Sequence, residues 1–170
     1  MKLLRMLVCV ALLAGAVGLV RADEEKIALD KLPKPVLESV KKRFPKAELT
    51  SAEKETEGKK VVFEVLLKDG TTTYEMELSE DGTILVIDKL IEMKDLPKVV
   101  AETFNTMYPK AKVKKVEEAS TVVEGKEAIA FYEVEFSVDG KEMEVQILPS
   151  GKVKAEEKKP EAKEEKKQAK

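Results

Sequence analysis

Acidic side chains at every second position are the residues of this sequence best placed to do chemistry. Glu64, Glu75 and Glu77 lie in stretches where apolar and polar residues alternate, and Glu133, Glu135, Glu142 and Glu144 lie in two more. Side chains alternate sides along a strand, and neighbouring strands run about 4.8 Å apart. Carboxylates such as Glu64 and Glu75, or Glu133 and Glu144, are therefore expected side by side on one sheet face. Such a pair supports three chemistries. It holds a hard cation such as Ca²⁺ through oxygen, it works as an acid–base pair with one pKa raised, or it attracts a basic partner. The plain alternative is a solvated face balanced by Lys112, Lys114 and Lys115 on a flanking strand. No Asp-rich calcium loop of the D-x-D-x-D-G type occurs, and Ser79-Glu80-Asp81-Gly82 reads as a turn.

Two stretches, Ser39-Val40-Lys41-Lys42 and Ser51-Ala52-Glu53-Lys54, match S-x-x-K, in which a Lys one helical turn from a Ser takes its proton. The S-D-N and K-T-G segments that complete such a site are absent. There is no His, and Cys9 is the one Cys. A His general base, a disulfide framework and a zinc site of His and Cys are excluded. The expectation is a non-enzyme with no catalytic residue, no cofactor and no assigned metal site. Apolar Val62, Leu66, Ile129, Phe131 and Leu148 fall on the acidic faces, either as a binding patch or as surface covered by other parts of the assembly.

The elements that position these residues follow from periodicity and punctuation. Lys2 and Arg5 precede the apolar run Met6–Val20, and Val20-Arg21-Ala22 suits cleavage between Ala22 and Asp23. Residues 1–22 therefore read as a signal peptide, with a periplasmic or secreted product and no membrane span after its removal. Removal takes three of the 31 basic residues and no acidic one, so 28 face 33. That acidic balance argues against nucleic acid as a partner.

The remainder carries an internal repetition. Leu32-Pro33-Lys34 recurs as Leu96-Pro97-Lys98, Phe44-Pro45-Lys46-Ala47 as Tyr108-Pro109-Lys110-Ala111, and Asp69-Gly70 as Asp139-Gly140. Each copy opens with a short helix, capped by Asp30 or Asp95 and ended before Pro45 or Pro109. Alternating strands with Asp-Gly turns follow. The expected fold is α+β, with two tandem repeats over residues 23–89 and 90–154. Each is a helix on a four-stranded antiparallel meander, the two packed together or sharing one concave sheet. Residues 155–170 are Lys- and Glu-rich with no large apolar residue, and read as a disordered tail.

The pattern Leu-Pro-x-x-Val, then Phe/Tyr-Pro-x-Ala, a Glu-rich strand and paired Asp-Gly hairpins resembles the PepSY-like, β-lactamase-inhibitor-like domain family, in two tandem copies over nearly all of residues 27–154. The resemblance implies a helix against an antiparallel sheet, export, and protein binding through a sheet face. The leading expectation is thus an exported binding module that inhibits or regulates an envelope enzyme or peptidase. The alternative is an envelope protein that binds or senses a cation through its acidic faces. The candidate surface is Glu64, Glu75, Glu77, Phe131, Glu133, Glu135, Glu142 and Glu144.

Overall fold

Proline has no amide hydrogen and fits where a helix begins. Pro33 and Pro97 are the N-caps of α1 (Lys34–Arg43) and α2 (Lys98–Met107) in the computed structural model, which describes residues 23–57 and 60–158. The expected signal peptide and its Ala22 lie outside the described residues. Asp30 and Asp95 do not cap these helices. They sit one turn earlier, in 3₁₀ turns at Leu29–Lys31 and Met93–Asp95, where Asp95 and Glu92 form a reciprocal capping box. The amides of Phe44 and Tyr108 still bond to the carbonyls of Val40 and Phe104, and Pro45 and Pro109 then stop the helices. Neither helix is long and apolar enough to cross a membrane.

The strands are β1 (Asp23–Ile27), β2 (Glu48–Glu57), β3 (Lys60–Asp69), β4 (Thr72–Ser79), β5 (Ile84–Leu90), β6 (Lys112–Val123), β7 (Lys126–Val138), β8 (Lys141–Ile147) and β9 (Val153–Lys158). They form one nine-stranded sheet in sequence order, β1 to β9. This corrects the expectation of two repeats, each a helix on a four-stranded meander. β5 does not end a sheet, since β6 follows it in the strand order. The outermost strands were also unexpected. β1 reads DEEKI and β9 reads VKAEEK, without apolar alternation. Pairing needs only backbone groups, and β1 adds to β2 with Glu25 opposite Lys54, while β9 adds to β8 with Ala155 opposite Gln146. Ala155–Lys158, expected in the disordered tail, are therefore sheet.

Packing divides the chain into two units. Among the described residues the first holds residues 23–90 with Ala119–Ala128, and the second holds Ile91–Glu118 with residues 129–158. In the first, Leu32, Val36, Val40 and Phe44 meet Phe63, Val65, Leu67, Met76, Leu78 and Ile87. In the second, Leu96, Val100 and Phe104 meet Val116, Tyr132, Val134, Phe136, Met143, Val145 and Ile147. Phe104 and Phe136 cross edge to face with centroids 5.2 Å apart. A ten-residue helix is marginal alone in water, so each depends on this burial. At about 1.5–3 kcal/mol per buried aliphatic or aromatic side chain, a few contacts suffice to hold it.

Each helix is seated by one glycine in a turn. Gly82 and Gly151 both have φ of +83°. A Cβ on Gly82 would lie 2.5 Å from the Pro35 carbonyl oxygen, and one on Gly151 would lie 2.6 Å from Val99 Cγ2. Thr103 Oγ1 also donates to the Gly151 carbonyl at 2.9 Å. Replacing either glycine with Ala combines the left-handed penalty of about 1–2 kcal/mol with overpacking of about 1–3 kcal/mol. Gly82→Ala and Gly151→Ala are expected to lose roughly 2–5 kcal/mol in urea unfolding. Gly70→Ala, with no atom within 4 Å of its new Cβ, should lose only the conformational part. Equal losses at all three would contradict a helix-seating role.

Burial of the Tyr108 hydroxyl, with the Glu156 carboxylate beside it, pushes its pKa up to about 12 from 10.0. Between those values the folded chain keeps a proton that the unfolded chain has released. Stability is therefore full below pH 10 and falls as pH rises toward 12. Tyr108→Phe should flatten that alkaline loss in urea titrations at successive pH. An unchanged slope would place the loss elsewhere.

Candidate functional site

In the second unit the two-residue period of β7 sends Tyr132, Val134 and Phe136 into the core. Phe131, Glu133 and Glu135 consequently share the opposite face. Across the register Glu135 faces Glu144, Glu144 also faces Glu157 of β9, and Glu133 faces Gln146. One carboxylate oxygen each from Glu133, Glu135 and Glu144 lies within 4.8 Å of the others. This set is not on a solvated surface. Glu133 is 1% exposed and Glu144 9%, with Glu135 half-buried.

Neighbours orient the set. Gln146 Nε2 donates to Glu133 Oε2 at 3.0 Å, and Lys154 Nζ donates to Gln146 Oε1 at 3.1 Å. Lys154 Nζ also stands 3.8 Å from the centroid of the Phe131 ring, a cation–π contact. Glu142 pairs with Lys114 at 2.6 Å, and the buried Glu117 pairs with Lys115 at 2.8 Å. Oxygens around one Ca²⁺ lie about 2.3–2.6 Å from it, so they can be up to about 5 Å from each other. A span of 4.8 Å suits such an ion or an inserted ammonium or guanidinium group.

In the first unit Glu64 on β3 is half-buried between Glu53 of β2 and Glu77 of β4. Glu75 and Glu77 are buried, and Glu75 lies opposite Asp88 of β5, which is fully buried. The plain alternative of a solvated face does not describe Glu75, Glu77 and Asp88 either. The register sets Glu64 opposite Glu77 rather than the expected Glu75, and sets Glu135 rather than Glu133 opposite Glu144, while Asp88, Glu117, Gln146 and Lys154 were not among the expected residues. Asp88 lies within β5, and only the pairing that sets it against Glu75 reveals its place on this face. Of the two S-x-x-K stretches, Ser51 and Lys54 are both on β2. Three positions apart on a strand, their side chains point to opposite faces. Ser39 and Lys42 share one side of α1, where Ser39 Oγ is 2.9 Å from the Cβ position of Gly82.

Residues 18–85 and 62–155 match the family described as "Putative beta-lactamase-inhibitor-like, PepSY-like". The chain belongs to the PepSY-like family. Its fold is similar to that of a BLIP-like protein from Bacteroides fragilis, at 17% identity and TM-score 0.54, covering 74% of this chain and 84% of that one. A DUF2874 family protein from Bacteroides ovatus is similar at 14% identity and TM-score 0.61, over 76% and 89%. A protein from Bacteroides eggerthii described as "putative periplasmic" matches at 13% identity and TM-score 0.59, over 74% and 88%. No curated protein matches the chain in sequence.

In this PepSY-like chain, Glu135, Glu144 and Glu157 place three like charges in a row across β7, β8 and β9. Opposed like charges destabilise a strand pair by roughly 0.2–1 kcal/mol. With cations chelated by EDTA, Glu157→Gln, at the exposed end of the row, is expected to raise stability by about that amount in urea unfolding. A loss of stability would mean that its charge is compensated within the fold.

Proposed function

We propose that this PepSY-like protein is an exported, non-enzymatic binding module. It takes a cationic group of an envelope protein, an enzyme or peptidase that it inhibits or regulates, against the acidic face of its second unit. The observation that carries this reading is the carboxylate set of Glu133, Glu135 and Glu144, within 4.8 Å and largely withdrawn from water. Desolvated carboxylates attract a positive charge more strongly than exposed ones, because screening is weaker. Phe131 supplies an apolar neighbour, and Glu142 extends the charge along β8. Glu64, Glu75 and Glu77 form the corresponding candidate face of the first unit. The apolar segment Met6–Val20 and the periplasmic description of the Bacteroides eggerthii structure support a location in the envelope.

The same span favours a second reading, a Ca²⁺ ion held by Glu133, Glu135 and Glu144 with Gln146 orienting the first of them. The two readings separate in one set of measurements. Immobilised protein is exposed to envelope extract, beside a Glu133→Gln/Glu144→Gln variant, and the melting temperature of both is read in calcium and in EDTA. A stoichiometric partner retained by the wild type and at least tenfold less by the variant supports the first reading. Equal retention by both overturns it. A calcium-dependent rise in melting temperature absent from the variant supports the second, and an unchanged melt in millimolar calcium sinks it.

A further inference from the structure

The first unit contains a cleft unrelated to the acidic face of the second. Its volume is about 480 Å³, within the range of small-molecule sites. Three segments build it: the C-terminal half of α1 with Ser39, Lys42 and Arg43, the β4–β5 turn with Gly82 and Thr83, and the β6–β7 hairpin with Glu124, Gly125 and Glu127. Ile84 and Val122, which pack against the first core, make its apolar floor. Cations, carboxylates and aliphatic surface therefore all line the one cleft.

Arg43 is the organised element of this cleft. Its Nη2 donates to Glu127 Oε2 at 2.6 Å, and its guanidinium lies 5.0 Å from the centroid of the Phe44 ring. A guanidinium has five N–H donors in a planar fork, so this contact leaves others for a carboxylate. Being held on two sides, it loses little freedom when one binds. Glu127 is fixed by the same ion pair and is 38% exposed, so its carboxylate is open to a second donor. A molecule with one charge of each sign lies head to tail along this pair, its anion on Arg43 and its cation on Glu127, without dissolving it.

We propose that this cleft binds a small zwitterion with an aliphatic side chain, a free amino acid or dipeptide. The carboxylate docks on Arg43 with Lys42 nearby, the α-ammonium on Glu127 with Glu124 nearby, and the side chain on Ile84 and Val122. The cleft also gives Ser39 and Lys42 of the S-x-x-K stretch a place in binding rather than in nucleophilic chemistry.

The test is a titration of ¹⁵N-labelled protein with leucine and leucyl-leucine, and with the N-acetylated and C-amidated forms of each. Saturable shifts are expected at the amides of Thr83, Ile84, Val122 and Gly125, and blocking either terminus should weaken binding about tenfold or more. Arg43→Ala and Glu127→Ala should each do the same, since one charge-assisted hydrogen bond of about 1.5–3 kcal/mol corresponds to a factor of ten or more. The ion pair is exposed, so both variants are expected to keep the wild-type spectrum outside the cleft. If either variant fails to fold, Arg43→Lys, which keeps the charge and loses the fork, should bind more weakly than wild type. The proposal is overturned if neither zwitterion produces saturable shifts at these four amides. It is equally overturned if blocked and free ligands bind alike, or if the variants bind as well as wild type. None of these outcomes bears on the acidic face of the second unit, because its residues are absent from the cleft.

Discussion

Two ten-residue helices, each too short to persist alone, depend on the apolar faces they share with the strands. Val36 and Val40 in the first unit, and Val100 and Phe104 in the second, are fully or almost fully buried by that union. It sets the direction of every other side chain in the sheet. Once Phe63, Val65 and Leu67, or Tyr132, Val134 and Phe136, are committed to the helix side, the intervening residues are committed to the other. Glu64, Glu133 and Glu135 follow by alternation. Gly82 and Gly151 bring a turn hard against each helix, so the seam tolerates no added carbon there.

The face opposite the helices is where this protein departs from an ordinary two-sided sheet. Antiparallel sheets commonly show water a polar face. Here Glu75, Glu77, Asp88, Glu117, Glu133 and Glu144 are buried instead. Charge withdrawn from water is costly unless it is compensated. Some compensation is visible in the Lys115–Glu117 pair and in the run from Lys154 through Gln146 to Glu133.

Much of this was legible from residue order. Leu-Pro and Phe/Tyr-Pro bracketed both helices, and alternation with Asp-Gly turns located β3, β4, β7 and β8. The acidic faces followed from the same alternation. Three things were not legible, each for a physical reason. β1 and β9 contribute backbone hydrogen bonds and little apolar surface, so composition conceals them. Alternation tells which side a carboxylate is on, not whether water reaches it, and the burial of Glu133 is therefore invisible in sequence. Arg43 and Glu127 are 84 positions apart, and only folding brings them to 2.6 Å.

The charged outermost strands have a colloidal consequence. A sheet edge exposes unpaired amides and carbonyls and is a template for further strands. β1 and β9 are the first and last strands in the strand order, and their sequences, DEEKI and VKAEEK, carry both acidic and basic residues with few apolar ones. A strand from another molecule approaching either end would have to accommodate charges of both signs while gaining almost no hydrophobic burial. Growth by end-to-end stacking of sheets is thereby discouraged.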